Sequence, residues 1–178
     1  MDLVKILVDI IEEKGLWSSP VLLERNELFG HRKLAQTHLY FLESGAIRAF
    51  TTVGDNDYTV RLIYTGNLFG YLDAFMSDQP SNMELEVLRK SSIRYISKSD
   101  FQSLLEIDSD ILKLWIELIQ ALLVQFMERE IDLLNNDPSE RLKKVLERSP
   151  EVFQEIPLKY IASYLRMSPE TLSRIMNS

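Results

Sequence analysis

The residues best suited to chemistry lie at the C-terminal end of the 178-residue chain, in the stretch IPLKYIASYLRMSPETLSRIMNS from Ile156 to Ser178. An arginine such as Arg174 can donate two hydrogen bonds to guanine O6 and N7, and a glutamate such as Glu170 can accept one from cytosine N4. Ser173 would add an unspecific contact, and Ser168, Thr171 and Asn177 complete a polar set on the same segment. The same residue types also describe two surface helices carrying a capping acid and a solvated arginine, and taken alone they leave both readings open.

Two helices must position these groups. Leu158, Ile161, Ala162 and Leu165 fall at i, i+3, i+4 and i+7, which gives a first helix of about two turns with one apolar face. After a break at Arg166 and Met167, Ser168 is an N-cap, Pro169 suits the first helical position and Glu170 complements the positive end of the helix dipole. The second helix turns Leu172, Ile175 and Met176 inward and leaves Glu170, Ser173, Arg174 and Asn177 pointing out. Two short helices joined by a turn of three to four residues, with small Ala162 permitting close approach, describe a helix-turn-helix unit.

The pattern IAxYLxxSxETxSRI, carried by Ile161, Ala162, Tyr164, Leu165, Ser168, Glu170, Thr171, Ser173, Arg174 and Ile175, resembles the Crp/Fnr transcription regulators, whose architecture is that of the cyclic-AMP receptor protein. The resemblance runs through the whole chain. It implies an α+β chain: an N-terminal cyclic-nucleotide-binding-like antiparallel β-roll, a long dimerisation helix and a C-terminal helix-turn-helix. It further implies base contacts from Glu170 and Arg174, double-stranded DNA as a partner, and RNA polymerase as a further one. Two departures stand out. Relatives usually place glycine where this chain has Arg166, and a non-glycine residue in a left-handed conformation costs roughly 1 kcal/mol or more. The sequence also stops at Ser178 without the basic continuation or wing strands that many relatives set on phosphates, which predicts weaker binding with a shallower salt dependence.

The same resemblance directs attention to a possible effector site. Relatives that bind cyclic AMP use a GExxGE cassette followed by arginine and a small polar residue, because a cyclic phosphate needs a guanidinium and free N–H groups and a ribose needs a carboxylate. This chain keeps the frame at Gly66, Asn67, Leu68, Phe69, Gly70, Tyr71 and Leu72 without those groups: Tyr71 takes the carboxylate's place, and Ser81 and Asn82 align with the arginine and its neighbour. Losing the arginine removes a bond worth about 1.5–3 kcal/mol, so cyclic AMP is not the expected ligand. A different small-molecule effector, no effector, or a pocket closed by Tyr71 all remain, as does a pair of plain turn glycines. His31 and His38, seven apart, lack the supporting residues of a metal site and read as surface or hydrogen-bonded histidines; neither metal nor cofactor is expected.

Composition sets the remaining bounds. The net charge is −7, yet residues 138–178 carry +2 and residues 1–137 carry −9, so the acid lies away from the proposed reading end. That balance argues against a general nucleic-acid coat and suits a specific reader with a local basic surface. With no cysteine, thiolate nucleophiles and cysteine-bound metal or iron–sulfur sites are excluded. No catalytic motif appears, and without a signal-peptide layout or a membrane-length apolar run the expected location is the cytoplasm.

Along the chain, residues 2–14 read as an amphipathic helix ending near Gly15 and lying as a lid on the domain after it. From Leu28 to Ile96 short apolar runs read as separate strands: LYFL, AIRAF after Gly45, YTVRLIY after the GDND turn, then LEVL and IRYI. Glu43-Ser44-Gly45 with Ile47-Arg48 resembles the family's early hairpin. Ser99 or Asp100 would cap a short helix and Asp110 would begin a long one. From Ile111 to Leu134 apolar residues occupy two registers, Leu112, Ile116, Ile119, Leu123 and Phe126 beside Ile111, Trp115, Leu118 and Leu122. That is wider than one core contact needs, so a second partner, the same helix of another subunit, is expected. A helix buried deep in one domain is the alternative, and Lys113, Glu117, Glu128, Arg129 and Glu130 oppose it. Asn135 to Pro138 form a hinge, and Ser139 caps a further helix bearing Leu142, Val145 and Leu146. The expected units are 1–109, 110–136 and 137–178. The competing description is a ligand-binding or protein-interaction module whose truncated headpiece does not read DNA.

Overall fold

The computed structural model describes residues 2–32 and 34–177; the side chains of His31 and Arg32 lie outside that description, and with them the pairing of His31 with His38. The first helix, α1 (Leu3–Glu13), forms where Asp2 can accept the Lys5 amide at 3.1 Å, and it ends at Gly15, whose φ of +63° few other residues adopt. Its buried face is Leu7, Val8 and Ile11, of which Leu7 and Ile11 join Leu39, Phe75, Ile96, Phe101, Leu104 and Ile111 in one cluster, so the expected lid is a packed part of the core.

Five strands form one antiparallel sheet: β1 (Val21–Leu23), β2 (Leu39–Val53), β3 (Asn56–Tyr64), β4 (Leu68–Phe69) and β5 (Glu84–Ile96), in the order β1-β5-β2-β3 with β4 pairing β2. The separate short strands expected around Gly45 are a single 15-residue strand, and LEVL and IRYI are a single 13-residue strand. No hairpin interrupts β2 at Gly45. Instead Gly45 takes φ +107° inside the strand, where a Cβ would meet the Lys90 carbonyl oxygen at 2.7 Å, and the β2–β5 register shifts there. A glycine that reads as punctuation here lets two long strands bend together without breaking. The GDND turn does form: Val53 pairs Asn56 across a two-residue connection that contains Gly54 at φ +62°. Strand β1, the six-residue helix α2 (Leu72–Ser77) and a 3₁₀ turn at Phe29–Arg32 are elements that the sequence pattern leaves out.

The roll closes around Leu23, Phe29, Tyr40, Leu42, Ile47, Ile63, Leu85, Val87 and Ile93. Helix α3 (Lys98–Ile107) is capped by Ser97, and the 26-residue α4 (Ser109–Leu134) by Asp108, each two residues or so before the caps expected from sequence. Both caps win by geometry: Ser97 Oγ and Asp108 Oδ1 each accept an amide at the helix start. Helices α5 (Pro138–Arg148), α6 (Val152–Glu155), α7 (Leu158–Tyr164) and α8 (Pro169–Met176) complete the chain. Asp137, not Ser139, caps α5, because Pro138 takes the first helical position and the aspartate accepts the Ser139 amide at 2.8 Å. Among the described residues no helix is long and apolar enough to cross a membrane.

Candidate functional site

The two C-terminal helices form with the expected cap. Ser168 Oγ accepts the Thr171 amide at 3.2 Å and Pro169 opens α8. Bonding to Ser168 and to its own amide holds the Glu170 carboxyl below its usual range, as an acid at a helix N-terminus should be. The side chains of Glu170, Ser173, Arg174 and Asn177 all face solvent, Ser168 is exposed and Thr171 is half-buried. Asn177 donates to the Ser173 carbonyl at 2.9 Å, whereas Arg174 makes no ion pair among the described residues. The apolar faces need two corrections. Leu158 and Met176 are 44% and 48% exposed, and Tyr160 takes the buried place beside Ile161, Ala162 and Leu165, its ring lying against the Arg48 guanidinium.

Arg166 adopts the left-handed turn conformation at φ +55°, at the position where the resemblance leads one to expect glycine. Its guanidinium lies over the Tyr58 ring at 4.6 Å, a contact glycine could not make and one that offsets part of the backbone cost. The turn is also held from below by Arg141, which no local spacing singles out. Arg141 is buried and donates to the carbonyls of Leu165 (3.0 Å), Arg166 (3.4 Å) and Asn135 (2.6 Å). One guanidinium therefore ties the turn between α7 and α8 to the segment between α4 and α5. Its i+1 neighbour Leu142 is buried as expected, while Leu146 is 42% exposed.

The headpiece is packed on its own sheet. Ala46, Leu62 and Leu88 share a core with Leu142, Val145, Ile156, Ile161, Leu165 and Leu172. Ser163 Oγ accepts the Thr59 amide at 3.1 Å, and Arg129 donates to the carbonyls of Thr59 and Tyr164. At the centre Arg48 bridges Glu86 (2.5 Å) and Asp57 (3.1 Å) and lies over the rings of Phe50 and Tyr160 at 4.1 and 4.7 Å. Arg129, expected on the solvated side of the long helix, thus turns inward.

The sequence singles out seven residues for an effector pocket. Phe69, Gly70 and Leu72 line a cavity of about 160 Å³ between the roll and α4; Gly66, Tyr71, Ser81 and Asn82 do not. Gly66 makes a turn at φ +88°. Tyr71 is buried in the roll core, where desolvation and then Glu84 push its phenol up to about 12, so it does not plug the cavity. The Ser81 amide donates to Gln36, its hydroxyl accepts from the Met83 amide, and the Asn82 carbonyl accepts from Thr51. His38 sits beside Tyr95 at 4.7 Å, and burial lowers its pKa. The cavity contains a group missed by sequence reasoning, Arg61, placed there by a bulge: Ala49 pairs Arg61 while Phe50 pairs Thr59, so Val60 is the extra residue and both Val60 and Arg61 face inward.

Along α4, Leu112, Ile116, Leu123 and Phe126 are exposed, as are Val124, Met127, Ile131 and Leu134, while Ile111 is buried and Trp115, Leu118 and Leu122 pack on the roll side. The two expected registers lie on adjoining faces, roughly 100° apart at one residue's offset, and Ile119 and Phe126 of the first also border the cavity on the roll side.

Residues 20–108 match the cyclic nucleotide-binding domain family, half of the chain, and the chain belongs to that family. No curated protein matches it. Among solved structures, FixK2 from Bradyrhizobium japonicum is 18% identical with a TM-score of 0.73 and covers 89% of this chain and 82% of its own. A CooA mutant from Carboxydothermus hydrogenoformans is 14% identical with a TM-score of 0.69, covering 96% and 82%. The c-di-GMP-responsive global regulator CLP from Xanthomonas campestris is 15% identical with a TM-score of 0.67, covering 96% and 90%. The fold is that of the Crp/Fnr regulators, from roll to headpiece.

Proposed function

We propose that the chain is a sequence-specific, DNA-binding transcription regulator of the Crp/Fnr type that works as a homodimer and does not answer to cyclic AMP. The observation that carries this reading is α8 itself: capped, anchored through Leu172, and presenting Glu170, Ser173, Arg174 and Asn177 to solvent with the arginine unpaired among the described residues. A side chain that is charged, exposed and uncommitted on a helix positioned by a buried one is what a base-reading residue requires. The exposed apolar residues on α4, Leu112, Ile116, Leu123, Met127 and Leu134 among them, support a twofold seam, with half-buried Ile119 completing the 4, 3, 4, 3 spacing from Leu112 to Phe126. Residues 1–109 are then the sensor, 110–136 the seam and 137–178 the reader. RNA polymerase is a partner only through such action at promoters. The cavity beside α4 is the effector site on this reading, since it touches both the roll and the seam helix.

The test is binding of Arg174→Ala to a duplex bearing the preferred site of the native chain. Losing one bidentate arginine–guanine contact should cost about 1–3 kcal/mol and relax preference at one position. An unchanged affinity and an unchanged sequence preference would remove Arg174 from the interface and favour the competing role as a non-reading interaction module.

A further inference from the structure

The cavity beside α4 borders a second of about 240 Å³, bounded by β3, α4, α5 and α7, and Arg61, Gln125 and Phe126 line both. The first is apolar apart from Arg61 and Gln125. The second carries Arg61, Arg129 and Arg148 together with Tyr64, Tyr164 and Asn67. In a chain of net charge −7, neither cavity is lined by an aspartate or a glutamate among the described residues. Arg148 is matched by Asp132 and Glu128. Arg61 is not matched: among the described residues it makes no hydrogen bond and no ion pair, and its guanidinium lies over the Phe126 ring at 5.5 Å. Arg129 spends one terminal nitrogen on two carbonyls, and its buried Nε has no partner among the described residues. A half-buried guanidinium with idle donors is costly, and burial lowers the pKa of both groups.

We infer that the two adjoining cavities together bind a small organic acid with an apolar body, its carboxylate held by Arg61 and Arg129 and its body lying along Trp115, Leu118 and Leu122. A carboxylate matches one guanidinium fork and offers acceptors to the idle N–H groups. The apolar walls favour a hydrocarbon body over a sugar, and no carboxylate among the described residues lines the space to meet a ribose hydroxyl. Because the anion would touch β3, α4 and the side of the pocket formed by Tyr164 of α7, its binding also holds the headpiece to the sheet. The inference rests on the reading of this cavity as the effector site.

The experiment is calorimetric titration of the full chain with octanoate, 4-phenylbutyrate, octanamide and cyclic AMP. At least one of the two acids should bind saturably, octanoate at least tenfold tighter than its neutral amide, and cyclic AMP not at all. Arg61→Met should weaken the acid tenfold or more, and Arg61→Lys should recover part of the loss. Equal binding of octanoate and octanamide, full affinity in Arg61→Met, or no binding of either acid at millimolar concentration overturns the inference. Should Arg61→Met fail to fold by circular dichroism, the acid-to-amide ratio on the native chain decides. Selection of DNA by the same preparation is scored separately. Acid binding without an enriched DNA site sinks the regulator reading alone, and an enriched site without acid binding sinks this inference alone.

Discussion

Replacing Arg48 by methionine should loosen the headpiece from the sheet, and the size of the effect is set by what Arg48 touches. The Arg48 side chain is 9% exposed and Glu86 only 15%, so removing the arginine leaves a carboxylate with little water and no cation. Breaking a buried pair from one side costs about 3–5 kcal/mol. The lower end applies, because Glu86 keeps the Tyr160 hydroxyl at 3.5 Å and a solvent edge. The Asp57 pair, with its acid 43% exposed, adds no more than about 1 kcal/mol, and the rings of Phe50 and Tyr160 roughly another 1. Methionine keeps most of the packing volume, so a total near ~4 kcal/mol is expected, or roughly 8–16 °C in Tm for a chain of this size. Hydrogen exchange should quicken in residues 158–164, whose helix lies against β3. Adding Glu86→Gln removes the stranded charge and should restore at least half of the loss. A Tm change below about 2 °C, or no rescue by Glu86→Gln, would refute the reasoning that this network couples the roll and the headpiece.

Arg141→Met strands three carbonyls, two at the α7–α8 turn and one at Asn135; at about 1–3 kcal/mol for a buried unpaired group it should lower headpiece stability by at least ~2 kcal/mol, measured by urea denaturation. His38 gives a pH signature. Burial lowers its folded pKa beneath the unfolded 6.5, so the unfolded chain binds more protons in that window and stability should fall as pH drops from 6.5 through the lowered value. His38→Gln should flatten this part of the Tm–pH profile, and a profile identical to that of the native chain would exclude the residue.

Much of this architecture is legible in the chain, and the exceptions share a cause. Helices α1, α4 and α8 announce themselves by period and cap, since both signals are local. The apolar runs divide the strands too finely because Gly45 looks like a turn, whereas its positive φ serves a close approach to Lys90 and Ser91 on β5. Caps move by one or two residues wherever two acceptors compete for the same amides, as with Asp137 and Ser139. Of the candidate reading face, the exposed polar set on α8 follows from sequence, but Arg141 and Tyr160 do not. Their burial depends on contacts with the hinge and with Arg48 that no local spacing encodes. The effector frame misleads for a related reason. Gly66 and Gly70 look like parts of one motif, yet only Gly70 borders the cavity, and the charge inside it, Arg61, arrives through a bulge on another strand.

Selection of bound fragments from a random pool of duplex DNA tests the central claim most directly. Two α8 helices related by a twofold axis should enrich an inverted repeat whose half-sites lie about 10 base pairs apart, one turn of the duplex. Enrichment of a single unrepeated site, or of no sequence at all, would contradict the account of this chain as a dimeric reader.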